Sequence, residues 1–333
     1  MKAVGFQKSL PITDQDALQD IDLPRPRAEG RDLLVRVEAV SVNPVDYKVR
    51  QGRPPESGWK VLGYDAAGVV EEIGDQASLF QVGDRVWYAG DLTRSGSNAE
   101  FQLVDERIVG RMPTSLGFAQ AAALPLTTIT AWEMLFDRLQ VSREKSESIL
   151  LVGAAGGVGS IMVQLLKRLT NLTVVGTASR PDSVDWLRRL GTDHVIDHRQ
   201  PLSQGLAAVG IAPVEYLVSL NHTEGHYDEI VASLKPQGRF GLIDDPAQLD
   251  PMKLKSKSIS LHWEFMFTRS MYQTDDVEQQ HYLLGKVAEL VDQSLLESTV
   301  AHHLGPINAA NLRQAHSMLE SQQAHGKIVL EGF

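Results

Sequence analysis

The sequence predicts an α/β protein in which a doubly wound parallel sheet is joined to a second, mostly β domain. Three observations lead there. From residue 148 onward, short apolar runs alternate with amphipathic helical stretches, and strands separated by helices pair in parallel through right-handed crossovers. Before about residue 120, β-branched runs are separated by glycine turns instead of helices. The chain has 333 residues, more than one ordinary core organises, so two domains are expected.

In chain order, residues 33–40, 69–73, 85–88 and 100–104 read as strands, punctuated by Gly52, Gly63, Gly74, Gly83 and Gly90. Residues 121–135 read as helix, with Pro125 near its start or at a kink. Strands are expected at 148–152, 172–177, 194–196, 215–220, 239–243 and 259–262, and helices at 158–169, 182–190 and 224–234. The chain turns helical again over 277–290, and 327–330 reads as a last strand. The simplest division is discontinuous: 1–122 with 270–333, and 123–269, with the site expected in the cleft between them.

Composition removes several function classes. Thirty-two basic against 42 acidic side chains leave a net charge of -10, which repels nucleic-acid phosphates and anionic membranes. The densest basic run, Lys253 to Lys257, reads as a solvated loop. The chain has no cysteine, which excludes disulfides, thiolate zinc sites, iron–sulfur clusters and a cysteine nucleophile. That is compatible with a reducing cytoplasm, the expected location. Residues 1–10 lack a signal-peptide apolar core. The apolar stretches fall far short of the ~20 residues that cross a bilayer.

The strongest motif follows the apolar run 149–152: Gly153-Ala154-Ala155-Gly156-Gly157-Val158-Gly159, opening a helix. A lone glycine pattern is weak; between a strand and a helix it is the dinucleotide fingerprint. Gly156 and Gly157 let the backbone approach a pyrophosphate. Gly159 lets the helix lie close to the sheet. The helix N-terminus, from Val158, offers N–H groups and a positive dipole to phosphate. An NAD site normally has an acid at the end of the second strand; here the chain reads Thr177-Ala178-Ser179-Arg180. Ser179 and Arg180 suit a 2′-phosphate, so NADPH is the expected cofactor. Asp182 falls in the next helix's first turn, where acids favour the dipole.

Together these residues resemble the zinc-independent quinone oxidoreductases of the medium-chain dehydrogenase/reductase superfamily. Within that group the chain is similar to bacterial proteins labelled as a zinc-binding alcohol dehydrogenase family. The landmarks are Ser41-Val42-Asn43-Pro44-Val45-Asp46, Val61-Leu62-Gly63-Tyr64-Asp65-Ala66-Ala67-Gly68, Gly96-Ser97-Asn98-Ala99-Glu100-Phe101, Leu126 to Trp132, the glycine loop, and Gly326 to Leu330. The resemblance implies a GroES-like catalytic domain, a Rossmann cofactor domain, hydride transfer, and a homodimer or homotetramer built by pairing edge strands. Zinc alcohol dehydrogenases carry a cysteine near Asn43-Pro44, a Gly-His-Glu near Gly63-Tyr64-Asp65, and a four-cysteine lobe near 90–99. This chain has none of these cysteines, and Tyr64 stands at the histidine position. Without a Lewis acid an alcohol is hard to ionise, so a polarised acceptor, a quinone or an enone, is expected.

The resemblance places Asn43 and Asp46 near nicotinamide and substrate. Asn43 either donates to a carbonyl oxygen or makes an Asx turn with Pro44. Tyr47 and Tyr64 are either proton donors or packing tyrosines. Thr130 resembles the family's cofactor-contacting threonine, and Lys327 of the last landmark is placed with the cofactor residues. In related enzymes the His198-Arg199 segment reaches the 2′-phosphate; a plain surface role is equally open. Asn221 and Ile243-Asp244 follow strands at their carboxyl ends, where ligands of open sheets bind. Trp263, Phe265 and Phe267 either roof an aromatic-substrate pocket or pack as core. No metal is expected: His194 and His198 would be ~13 Å apart on a strand, and His222 and His226 flank a loop entering a helix.

The leading expectation is an NADPH-dependent reductase of quinones or enones. An alcohol dehydrogenase with an unusual metal site and a non-catalytic NADPH-binding structural or regulatory protein are the competitors.

Overall fold

The computed structural model describes residues 1–211, 213–322 and 324–333. They form two compact units, Met1–Ile129 with Phe267–Phe333, and Thr130–Met266.

The first unit begins with β1 (Lys2–Phe6), β2 (Gln19–Asp22), β3 (Asp32–Val42), α1 (Pro44–Gly52), β4 (Lys60–Val61) and β5 (Ala66–Ile73). It continues through β6 (Arg85–Tyr88), β7 (Phe101–Asp105), β8 (Val109–Arg111), α2 (Phe118–Ala122) and α3 (Pro125–Trp132). The second unit holds β9 (Ser148–Val152), α4 (Gly157–Leu169), β10 (Thr173–Thr177), α5 (Pro181–Leu190), β11 (His194–Ile196) and α6 (Leu202–Ala208). After these come β12 (Val214–Ser219), α7 (Thr223–Ser233), β13 (Leu234–Leu242), α8 (Met252–Lys255) and β14 (Ser260–Trp263). The chain then returns to the first unit with α9 (Thr268–Tyr272), α10 (Gln279–Asp292), β15 (Val300–His303), α11 (Ala309–Glu320) and β16 (Lys327–Glu331).

In the first unit a sheet in the order β15-β16-β3-β5-β6-β8, with β7 also on β3, lies beside a small sheet β2-β1-β4. β3 is the spine: it pairs antiparallel with β5, β7 and β16. The β16 pairing brings the end of the chain onto the strand that leads into α1. The second unit is a six-stranded parallel sheet in the order β11-β10-β9-β12-β13-β14. Counted from β9 this is 3-2-1-4-5-6, the Rossmann arrangement, whose strand order reverses between β9 and β12. Its strands read as unbroken apolar runs because helices cover both faces; Leu150, Leu217 and Phe240 pack against Leu202, Leu206, Tyr227 and Ile230.

Several elements differ from expectation. The helix at 121–135 is two helices, and Pro125 starts the second. That second helix widens into a π-helical turn over Glu133–Arg138. Residues 123–129 and 267–269, placed with the cofactor domain from sequence, lie in the first unit. The Leu126 N–H donates to the Asp65 carboxylate (2.8 Å) and the Tyr64 ring edge packs on Phe267. The Lys253–Lys257 run is solvated at Lys253 and Lys255, but it is largely the helix α8 instead of a loop, and Lys257 is engaged. Lys257 Nζ donates to the carbonyls of Val231, Ala232 and Leu234 at 2.7, 3.0 and 2.7 Å, closing the C-terminus of α7, where carbonyls lack helical partners. Trp263 and Phe265 are exposed while Phe267 is buried, so the three do not form one aromatic roof.

Candidate active site

In the second unit the glycine loop turns from β9 into α4. Gly153 holds φ +80°, and a Cβ there would meet Asn221 Oδ1 at 2.4 Å. Its N–H donates to Thr177 Oγ1 at 3.0 Å, tying the loop to the end of β10. A Cβ on Gly159 would sit 2.2 Å from the Ala154 carbonyl oxygen, so this glycine is required by the fold itself. Gly156 differs. It caps α4 at φ -72°, and a Cβ there would touch nothing nearer than the Gly153 oxygen at 3.5 Å. Nothing in the chain requires a glycine there, whereas an approaching phosphate would. Gly157 opens the helix and no acid lies in its first turn; Ala155 and Val158 are half-buried. These residues fit a dinucleotide pyrophosphate.

Around the loop, Ser179 is half-buried and Arg180 is exposed at the start of α5. His198 is half-buried after β11. Asn221 is exposed against Gly153, and Ile243, half-buried, donates its N–H to the Ser219 carbonyl (3.3 Å). Asp244 caps α7 by accepting from Thr223 N–H at 3.0 Å. Thr130, 5% exposed, lies on α3.

In the first unit Asn43 begins α1, with Pro44 at the first helical position, the place where its missing N–H costs nothing. Asp46 closes this turn: Oδ2 accepts from Asn43 N–H at 2.8 Å and Oδ1 from Gly63 N–H at 2.9 Å. Asp65 Oδ2 accepts from Asn43 Nδ2 (2.8 Å) and Lys327 Nζ (3.0 Å). Lys327 also donates to Asn43 Oδ1 and the Val42 carbonyl. Asn43, Asp46, Asp65 and Lys327 are all at most 3% exposed.

This network bears on two of the candidate residues. The Asn43 amide is engaged at both ends, Nδ2 donating to Asp65 and Oδ1 accepting from Lys327. The Lys327 ammonium donates to three protein oxygens. Asp65, a landmark residue without an assigned role, is the hub. Sequence carried only a weak signal for it, an acid between Tyr64 and a run of small residues.

Burial pushes Asp46 up to about 7, helped by Asp65, against the Asn43 and Gly63 N–H groups and Lys327. Burial likewise raises Asp65, against Lys327, Asn43 and Leu126. Because Asp46 titrates above its unfolded value of 3.8, the folded protein keeps a proton that the unfolded chain gives up. The associated stability, on the order of 4 kcal/mol, is present at low pH and is lost as pH rises from about 4 to 7. Asp46→Asn should therefore flatten the fall in urea midpoint over that range; an unchanged slope would show that Asp46 does not carry it.

Tyr64 is 1% exposed, and its hydroxyl has no hydrogen-bond partner among the described residues. Burial and the nearby Asp46 raise its pKa, so it keeps its proton and remains a donor. Tyr47, on α1, is half-buried.

Comparison with known proteins gives this framework a lineage. An alcohol dehydrogenase GroES-like domain matches residues 29–131, and a zinc-binding dehydrogenase domain matches residues 190–330. A zinc-type alcohol dehydrogenase-like protein of Staphylococcus epidermidis is 40% identical over 99% of both chains. The chain belongs to the medium-chain dehydrogenase/reductase superfamily. A solved structure described as a candidate zinc-dependent alcohol dehydrogenase from Rhizobium etli CFN 42 superposes on this medium-chain oxidoreductase with a TM-score of 0.98. It is 54% identical, covering 100% of this chain and 98% of that one. A 2-methylene-furan-3-one reductase of Solanum lycopersicum is 37% identical over 50% of this chain and 44% of its own.

The family's name raises the question of zinc, and the residues of this medium-chain oxidoreductase do not fit it. The chain has no cysteine, and by the family resemblance Asn43 and Tyr64 fall near the segments where zinc alcohol dehydrogenases carry their ligands. Among the described residues no group of three histidines, aspartates or glutamates is arranged to hold an ion. The 90–99 stretch, which carries the structural zinc in zinc alcohol dehydrogenases, is tied down by Arg94, whose guanidinium forks onto Asp32 at 2.8 and 2.7 Å. No helix among the described residues is long and apolar enough to cross a membrane.

Proposed function

We propose that this oxidoreductase uses NADPH to reduce quinones or α,β-unsaturated carbonyl compounds, without a metal ion. The observation that carries the reading is the pair Ser179-Arg180, with no acid at the tip of β10, beside a glycine loop in which a Cβ on Gly156 would meet nothing nearer than 3.5 Å. The α4 amides and Gly156-Gly157 would hold the pyrophosphate. Arg180 and Ser179 would hold the 2′-phosphate, which is what separates NADPH from NADH. The bound nicotinamide supplies the hydride. Within the first unit, Tyr64 is equipped to donate a hydrogen bond to an acceptor oxygen: its hydroxyl is protonated and has no partner among the described residues, and it stands in the landmark segment beside Asp65. A conjugated acceptor needs no Lewis acid to take hydride. The name of the Solanum lycopersicum relative describes such an enone.

The test is NADPH oxidation against quinones, enones, aldehydes and ketones, with and without chelator. Turnover of quinones or enones that ignores the chelator is expected. In Arg180→Ala, kcat/KM for NADPH should fall about 10–100-fold, the loss of one charge-assisted contact, while NADH is unaffected. An unchanged NADPH KM would sink the cofactor assignment. Tight NADPH binding without turnover on any acceptor would favour a binding protein, and chelator-sensitive alcohol oxidation would favour a metal enzyme.

A further inference from the structure

One arginine beside the first unit's candidate residues has no acid to answer it. Arg53 caps the end of α1, its N–H donating to the Val49 carbonyl at 2.9 Å. Its side chain is exposed, and the guanidinium makes no ion pair or hydrogen bond among the described residues. Lys60, half-buried at the start of β4, places Nζ 3.3 Å from the Arg53 carbonyl oxygen, and it has no acid partner either. Glu56, the one acid in the segment 54–59 between them, is exposed and pairs with neither.

Two cations side by side repel. Burial and the Arg53 charge hold Lys60 below the usual lysine range. Elsewhere in this unit arginines are set against acids: Arg31 on Glu106, Arg36 on Glu71, Arg50 on Glu320 and Arg94 on Asp32. With 42 acidic side chains against 32 basic ones, counter-charges were not scarce. A cation pair left without one is the complement of an anion from outside the chain.

The second observation lies four residues beyond Lys60. Tyr64 is 1% exposed, and its hydroxyl has no partner among the described residues. Besides burial, it feels Asp46 from the first turn of α1, Arg53 from the end of that helix, and Asp91. Both Asp46 oxygens are taken by backbone N–H groups, and Asp91 Oδ1 accepts from the Thr93 N–H and Oγ1 at 2.7 Å each. Asp46 and Arg53 are about 10 Å apart along the helix axis. The orphaned hydroxyl and the unanswered cation therefore stand within the length of one small molecule, in the same unit.

We propose that Arg53 and Lys60 select acceptors that carry a carboxylate, holding that group while the Tyr64 hydroxyl meets the acceptor's carbonyl oxygen. This rests on the reductase reading above and deepens it by naming a substrate class: quinones or enones with an anionic substituent remote from the carbon that takes hydride. The carboxylate is a spectator of the chemistry. Its contact with Arg53 is made equally in the ground and transition states, so the selection acts through KM and not through kcat.

The test is a matched set of acids and esters, with NADPH and the full chain. One pair is a naphthoquinone bearing a propionate side chain and its methyl ester. The other is benzylideneacetone bearing a para-carboxylate and its methyl ester. Acid should exceed ester in kcat/KM by about three- to tenfold, the scale of a charge-assisted contact at a partly exposed site. The preference should shrink at about 0.5 M salt, where exposed charges are screened. Arg53→Gln should bring the acid-to-ester ratio to about one, Arg53→Glu should invert it, and Lys60→Gln should reduce it. The ratio is taken within each variant, so any loss of folded protein cancels. Equal use of acid and ester by the parent, or an acid preference that survives Arg53→Glu, overturns the anion selector, and turnover of the esters then leaves the reductase reading standing. Turnover of none of the four compounds overturns both.

Discussion

Lys327→Met lowers the stability of the first unit by about 3–5 kcal/mol, the cost of stranding a buried charge. Lys327 comes from β16 and Asp65 from just before β5, and the two side chains are at most 3% exposed. Their Nζ–Oδ2 distance is 3.0 Å. Methionine fills most of the same space but brings no donor. Asp65 then loses its cation, and the Val42 carbonyl and Asn43 Oδ1 lose a donor each. Urea denaturation followed by circular dichroism measures the loss. Asp65→Asn in the Lys327→Met background should cost less than the sum of the two single changes, because it removes the stranded charge. A Lys327→Met midpoint within experimental scatter of the parent would mean that the ammonium contributes nothing net, and the network account would fall. The same experiment separates folding from cofactor binding, since every oxygen that Lys327 touches lies in the first unit.

Gly159→Ala has the next largest effect. The added Cβ would meet Ala154 backbone atoms, the oxygen at 2.2 Å and the carbonyl carbon at 2.6 Å. These cannot swing aside, so α4 must move away from the β9 turn, at about 1–3 kcal/mol. The amides at the start of α4 move with it, and NADPH affinity should fall at least about tenfold, or 1.4 kcal/mol. Gly156→Ala is the informative contrast. Its φ of -72° suits alanine, and the nearest atom is 3.5 Å from the new methyl. That variant should melt with the parent protein yet bind NADPH more weakly, because only a ligand passing over Gly156 would meet the methyl. Parental NADPH affinity in Gly156→Ala would show that no phosphate lies there.

Much of the cofactor unit was legible in the chain. The strands at 148–152 and 194–196 fall where the apolar runs place them, and the remaining strands of that sheet shift by a few residues at their ends. Parallel strands covered on both faces declare themselves as apolar runs. The elements that escaped include β1, β2, α1, β4, β8, α6, α8, α9, β15 and α11. In α1 the signals were present, Asn43 at the cap and Pro44 after it, but the same dipeptide also suits a turn. What decides for helix is Asp46, three residues on, accepting from the Asn43 N–H, and its second oxygen is held by Gly63 from another segment. For α6 and β15, seven and four residues long, the pattern is too short to show a period. Lys257 was misread because its carbonyl partners on α7 lie more than twenty residues away in sequence.

What the sequence by itself determined is what neighbouring residues can specify. That covers the βα turn built on Gly153, Gly156, Gly157 and Gly159, the missing acid and the arginine after β10, the acidic surface, and the absence of any thiolate. Backbone conformation, dipole and charge at these places depend on a few consecutive residues. Only the tertiary structure decided what Asn43, Asp65 and Lys327 do. Lys327 meets Asp65 because β16 lies in register on β3, pairing Ile328 with Val42 across nearly the whole chain. A charged side chain takes its role from what faces it after folding, and in a network of buried or half-buried groups those partners come from distant strands and helices.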